Sequence, residues 1–287
     1  MKRSSMRLAL NIFVMIGFCS PVGAWANGAY FSDDSISYRY GTAFKEPATA
    51  GGGDIIKNIV NYNHFNTDRL GSNFLDIDAA FSHDNDPKKS ATSGATEVYL
   101  VYRRDFSLHA LTGLDVSDTG VLRDIALHMG GDLNTKDNAF APQKKLLVIG
   151  PELQFALPRG HFNLAFDYSQ EWNHNGIVDK AVRFDPAFEI EANWGIPFQL
   201  GETSWKFSGF FTYVAPKGRD GFGAETKAEI LARPELMLDV GDLIMQQKNV
   251  LEVGAGYEYW RNKFGNDHTT VSGSFARTPE LIVRMHF

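Results

Sequence analysis

Cysteine is almost absent from this chain of 287 residues: there is one, Cys19, and it falls in the N-terminal leader. A mature chain without cysteine excludes a disulfide framework and thiol chemistry. Long apolar runs are also missing. Beyond the leader no stretch approaches the ~20 residues of a helical membrane span, so any membrane insertion must be as a closed β-barrel. Positive charge is the minority sign, with 28 Lys and Arg against 34 Asp and Glu and a net charge of −6. Removing the leader's Lys2, Arg3 and Arg7, with no acid among its residues, takes this to −9 and argues against a nucleic acid partner. Several chemical motifs are missing too. There is no G-x-S-x-G and no H-E-x-x-H. "PKGRDGFG" (residues 216–223) is glycine-rich but lacks the spacing of a phosphate loop. His174, in "EWNHNG", has no second histidine at ligand spacing. No catalytic residue, metal site or cofactor is assigned, and the chain reads as a non-enzyme.

What is present begins with the leader. A positive start is followed by an apolar run from Leu8 to Phe18, then by Ala24 and Ala26 flanking Trp25 as a cleavage signal. This predicts a signal peptide over residues 1–26 and a mature chain, 27–287, that forms one outer-membrane barrel domain. The apolar run is about half of the ~20 residues a membrane anchor needs.

The mature chain is organised by alternation with a period of two. In its last ten residues, "TPELIVRMHF", Leu281, Val283, Met285 and Phe287 share one face. Glu280, Arg284 and His286 share the other, with Ile282 as the apolar exception. An amphipathic strand at a chain end leaves an unpaired edge unless it pairs with the first strand and closes a barrel. Similar segments recur along the chain. They predict twelve strands, the first over residues 36–44 after a lead-in, and others including 58–66, 74–81, 97–104, 162–172, 184–196, 205–214 and 228–240. An even number puts both chain ends on one side. The polar stretches 45–57, 83–94, 134–145, 173–180, 215–224 and 261–277 then fall at the opposite end, facing outward, while short turns such as 158–160 face the periplasm. The fold class is therefore all-β, a transmembrane antiparallel β-barrel in the bacterial outer membrane.

The inward faces carry mixed charge. The candidate lumen-lining acids are Asp76, Asp78, Glu97, Asp167, Glu171, Glu189, Glu191, Glu229 and Glu258. The candidate bases are Arg103, Lys206 and Lys227, and Tyr99, Phe210 and Trp260 are placed to stack on a flat ring. Unpaired charges do not persist in a dry interior, so this face implies water or cross-strand ion pairs. A lumen of mixed sign selects weakly by ion charge but offers donors and acceptors to a neutral polar solute.

The strings "GSNFLDID", "GATEVYLVYRRDFSL", "GGDLNTKDNAFAPQKKLLVIGPELQFALP", "FDPAFEIEANWGIPF", "PKGRDGFGAETKAEIL" and "GYEYWRNKFGND" resemble, in this order, the Tsx-type nucleoside-specific channel family. The resemblance covers residues 61–287 and is weakest over 30–57. It implies a twelve-stranded barrel with a narrow pore and passive diffusion of nucleosides and deoxynucleosides. It also implies contact with outer-membrane lipid and lipopolysaccharide, and use of such channels as phage or colicin receptors. Two other classes stay open: a barrel hydrolase of the phospholipase or protease type, which needs Ser, His and a carboxylate converging at one end, and a plugged structural or receptor barrel, which would not conduct.

Overall fold

The computed structural model describes residues 30–47 and 52–287; the expected signal peptide and its cleavage site lie outside the described residues. The described elements are β1 (Phe31–Phe44), β2 (Ile55–Asp68), β3 (Gly71–Ser82), β4 (Thr96–Ser107), α1 (Leu108–Thr112), β5 (Leu122–Lys136), β6 (Gln143–Phe155) and β7 (His161–Asn175). They continue with β8 (Lys180–Arg183), β9 (Ala187–Leu200), β10 (Thr203–Val214), β11 (Glu229–Asp239), α2 (Val240–Met245), β12 (Leu251–Arg261) and β13 (Phe275–His286). Every strand pairs antiparallel with its neighbours, and the ring is closed by β1 on β13, from Ser35↔His286 to Gly41↔Glu280. Twelve strands make the barrel. The thirteenth, β8, is the upper part of one interrupted staircase: β8 and β9 both pair with β7, on either side of a break at residues 184–186 that contains Pro186. Proline has no N–H to give to the ladder, so the expected continuous strand over 184–196 starts at Ala187 instead.

The closing strand has the predicted faces. Leu281 is 67% exposed and Val283 45%, while Glu280 is 4% exposed and Thr278 fully buried. Tyr38, Val60, Val98, Leu127, Leu147, Tyr168, Phe188, Phe207, Leu236, Val253 and Tyr257 continue this exposed apolar belt around the ring. An apolar exterior around a charged interior is the inverse of a water-soluble barrel, and only lipid covers such a belt. The fold is that of an outer-membrane β-barrel. Its strands, 11 residues in β11 to 15 in β5 and β7, suffice for a tilted crossing of ~25–30 Å of hydrocarbon. No helix among the described residues is long and apolar enough to cross a membrane.

Ile282, the exception in the last strand, is 1% exposed and faces inward. It lies in one row with Gly254 and the fully buried Met237. A side chain at Gly254 would collide with Met237 and with the Leu236 carbonyl, so glycine leaves the room that Met237 occupies. Pro234 is accommodated similarly. The ladder from β11 to β12 skips residues 233–234, and on its other side Pro234 faces Gly209, whose φ of 149° suits only glycine.

Other boundaries also differ from the sequence expectation, and several of these shifts have a clear physical reason. β1 starts at Phe31, inside the expected lead-in, because β2 continues past β13 and pairs with residues 31–34. β5 and β7 extend to Lys136 and Asn175, and β6 starts at Gln143, so the expected loops 134–145 and 173–180 shrink to 137–142 and 176–179. These strand ends are polar on both faces, which hides the alternation. Val240, expected at the end of a strand, opens α2: the Asp239 carboxylate accepts from the Asp242 N–H at 3.0 Å and caps the helix. The start of β1 and the end of β13 meet on one side, where the Phe287 N–H donates to the Asp34 carbonyl at 2.9 Å. Connections on that side include the two-residue 69–70 and 201–202, and the six polar loops lie at the other end.

Candidate functional site

The interior encloses a cavity of about 1020 Å³ whose wall runs from Phe31 and Asp33 near the chain ends to Lys57 and Lys263 at the loop end. Thirteen of the predicted lumen residues stand on that wall: Asp76, Asp78, Glu97, Tyr99, Arg103, Glu171, Glu189, Glu191, Lys206, Phe210, Glu229, Glu258 and Trp260. Two do not. Asp167 points inward but is buried against His128 and is absent from the cavity wall. Lys227 lies in loop 215–228, half-exposed, with Nζ 3.8 Å from Asp267 at the barrel rim.

At the loop end the chain after β1 bends over the mouth. The Glu46 carboxylate receives Lys57 Nζ at 2.6 Å, Lys136 Nζ at 3.2 Å and Lys263 Nζ at 3.2 Å. Lys263 follows β12 and Lys136 closes β5, six steps apart around the ring, so a carboxylate touching both stands between opposite walls at the loop end. Asp86 and Glu97 supply the remaining negative charge, at 2.7 Å from Lys136 and 3.4 Å from Lys57. Burial acts to raise the Glu46 carboxyl pKa, but Lys136, Lys263 and Lys57 outweigh it and hold the group well below the usual carboxylate range. Beside this cluster, Lys263 Nζ lies 4.2 Å from the centroid of the Trp260 ring, and the Trp260 indole donates to Glu229 at 2.6 Å.

Deeper in the barrel, ion pairs cross the lumen. Arg103 on β4 donates to Glu191 on β9 at 2.9 Å and to Asp132 at 2.8 Å. Arg233 on β11 donates to Glu258 at 2.6 Å and reaches Asp78 on β3 at 3.4 Å; Asp78 also pairs with Arg39. In ring order β4 and β9 are four steps apart and β3 and β11 five, close to the maximum of six. Seen down the axis, the two bridges are chords that do not cross. The passage between them is bounded by β3 and β4 on one side and by β9, β10 and β11 on the other. Phe210, on β10, faces this gap with Arg233 5.9 Å from its ring. Tyr99 stands on the opposite wall, donating to Asp132 at 2.8 Å and receiving Lys144 Nζ at 2.6 Å. Near the chain ends Arg284 pairs with Glu235 at 2.6 Å, and Lys206 with Glu252 at 2.8 Å.

Many of the inward charges are thus ion-paired with one another on the wall that bounds the cavity. Sequence reasoning missed the Glu46 cluster. Glu46 and Lys57 sit in a stretch read as a loop by its proline and glycines, Lys136 in another, and Lys263 in a third. Each looked solvated, and only the bend of the chain over the mouth brings them together.

At Ser72, the serine linked to His128 through Asp105, the geometry does not resemble that of an activated serine. Ser72 Oγ donates to Asp105 at 2.7 Å, and Asp105 in turn bonds His128 Nδ1 at 2.7 Å, so the carboxylate rather than the imidazole holds the hydroxyl. Among the described residues, the His and carboxylate groups close enough to share an ion all surround His128.

No protein-family model and no curated protein sequence matches this chain. Solved structures of similar architecture include the KdgM porin, 9% identical over 88% of this chain and 99% of its own, with a TM-score of 0.43. The NanC porin is 8% identical over 87% and 98%, with a TM-score of 0.45. An outer membrane channel from Pseudomonas putida F1 is 12% identical over 94% and 100%, with a TM-score of 0.46. These likenesses are in overall architecture alone and assign no solute.

Proposed function

We propose that the protein is an outer-membrane channel for passive diffusion of small, neutral, polar solutes that carry a flat ring, with nucleosides and deoxynucleosides the favoured class. The observation that carries this reading is the passage between the two cross-lumen bridges. Its edges are guanidinium and carboxylate groups already committed to one another, which leaves spare acceptors and donors for hydroxyls but little net field for an ion. Phe210 faces the gap, and Trp260 stands nearer the mouth. A planar base can stack on such rings for about 1–3 kcal/mol per contact, while its sugar hydroxyls meet Asp78, Glu191 and Arg233. The resemblance of residues 61–287 to the Tsx-type channels points to the same solutes.

The test is single-channel conductance of the refolded protein in planar bilayers, with adenosine or thymidine titrated against a hexose of similar size. Small pores blocked saturably by the nucleosides and not by the hexose are expected. Pores equally indifferent to both would sink the solute assignment and keep the barrel.

A further inference from the structure

We propose that His128 Nε2, Asp167 and Glu191 form a binding site for one divalent transition-metal ion, best matched by zinc, in the barrel wall at the edge of the lumen. Sequence spacing assigned no metal because these ligands come one each from β5, β7 and β9.

Five neighbouring strands converge on the His128 ring. Asp105 from β4 accepts from Nδ1 at 2.7 Å, and Glu152 from β6 lies 3.5 Å from the same nitrogen. A ring that donates through Nδ1 presents the Nε2 lone pair on its other side. There Nε2 has no hydrogen-bond partner and faces Glu191 at 3.5 Å and Asp167 at 3.8 Å. Asp167 is the independent observation. It is 1% exposed, and neither carboxylate oxygen has a hydrogen-bond partner. A buried carboxylate without donors is costly, and it is either held neutral by its own proton or completed by a cation. Gly150 preserves its space, since a Cβ there would lie 2.7 Å from an Asp167 oxygen.

The dimensions suit an ion. Tetrahedral zinc with ligands at ~2.0–2.2 Å sets its donor atoms about 3.3–3.6 Å apart; Nε2 already lies 3.5 Å from Glu191 and 3.8 Å from Asp167, and all three donors fall within 4.8 Å of one another. One imidazole with two carboxylates is a donor set for zinc or a neighbouring divalent transition ion rather than for calcium. Outer partners are also in place. Ser72 donates to Asp105, which orients His128, and Arg103 donates to Glu191; such carboxylate–histidine–metal chains hold ligating rings in position. His128 and Glu191 both reach the cavity wall, so an ion can arrive from the lumen. Without it, the carboxylates of Asp105, Glu152, Asp167 and Glu191 face one histidine and one arginine.

The experiment uses the refolded, untagged full barrel, cleared with chelator, equilibrated with zinc alone and desalted before elemental analysis. One zinc per chain is expected, with binding abolished in Asp167→Asn and His128→Gln. Asp105→Asn should weaken it about 10–100-fold, as loss of an outer partner does. Heat-modifiable electrophoretic mobility shows whether each variant folds. Should a variant not fold, cobalt substitution of the wild type decides: a four-coordinate spectrum with imidazole ligation supports the site, and an all-oxygen octahedral one overturns it. Wild type that retains no zinc overturns the proposal, as does undiminished affinity in both ligand variants.

Discussion

Replacing Glu46 with glutamine is expected to open the mouth of the barrel. The substitution keeps the shape of the side chain but removes the charge on which Lys57, Lys136 and Lys263 converge. All four side chains are 3–7% exposed, so solvent screening does not rescue the three ammonium groups. Breaking a buried ion pair by removing one partner costs about 3–5 kcal/mol. Glutamine still accepts hydrogen bonds, so the lower end, about 3 kcal/mol, is the better figure, and it shifts the closed-to-open ratio of the segment about a hundredfold. Single-channel recording should show a larger unit conductance or more frequent full openings in E46Q, and protease should cut next to residue 46 faster. The pH dependence follows from the depressed Glu46 carboxyl. A group whose folded pKa lies below its free value of about 4.5 stabilises the closed form at all pH above that value. That stabilisation disappears as pH falls through the depressed folded pKa. Wild-type closure is thus expected to persist from neutrality to below pH 4.5 and fail only in stronger acid, while E46Q lacks this acid limb. Identical conductance and protease sensitivity in E46Q and wild type would refute the latch.

Truncating Phe210→Ala should weaken nucleoside block by about 1–3 kcal/mol, the worth of one stacked base, with the unit conductance unchanged or raised; equal block constants in titrations of variant and wild type would remove Phe210 from the solute path. On the outside, Val283→Arg puts a charge on the lipid-facing side of β13, which costs about 2–4 kcal/mol if it lies near the bilayer midplane. Its folding yield in vesicles under urea titration should fall accordingly, and an unchanged midpoint would mean that this face does not meet hydrocarbon.

Much of the barrel was legible because alternation is local. In β13, Leu281, Val283 and Met285 declare the lipid face without reference to any partner, and an even strand count then brings the chain ends together. Legibility failed where polarity is the same on both faces, as at residues 134–136 and 173–175, because strand ends beyond the hydrocarbon need no apolar side. It failed again at Pro186, where a pattern that continued across the break concealed a division into β8 and β9.

Inward direction was likewise a property of sequence for residues such as Asp78, Arg103, Glu191 and Phe210, since the side-chain period of a strand is two. Which of them meet was not. Arg103 is 88 residues from Glu191 and Arg233 is 155 from Asp78, and the tilt and stagger of the closed ring alone decide which inward positions come level. The latch depends on closure in the same way, because Lys136 and Lys263 can share Glu46 only once the ring brings opposite rims within reach of one bent segment. Sequence alone determined the barrel, its two faces and the character of its lining. Tertiary structure decided the pairings that narrow the lumen, because contact across a barrel is a consequence of its closure and not of any local period.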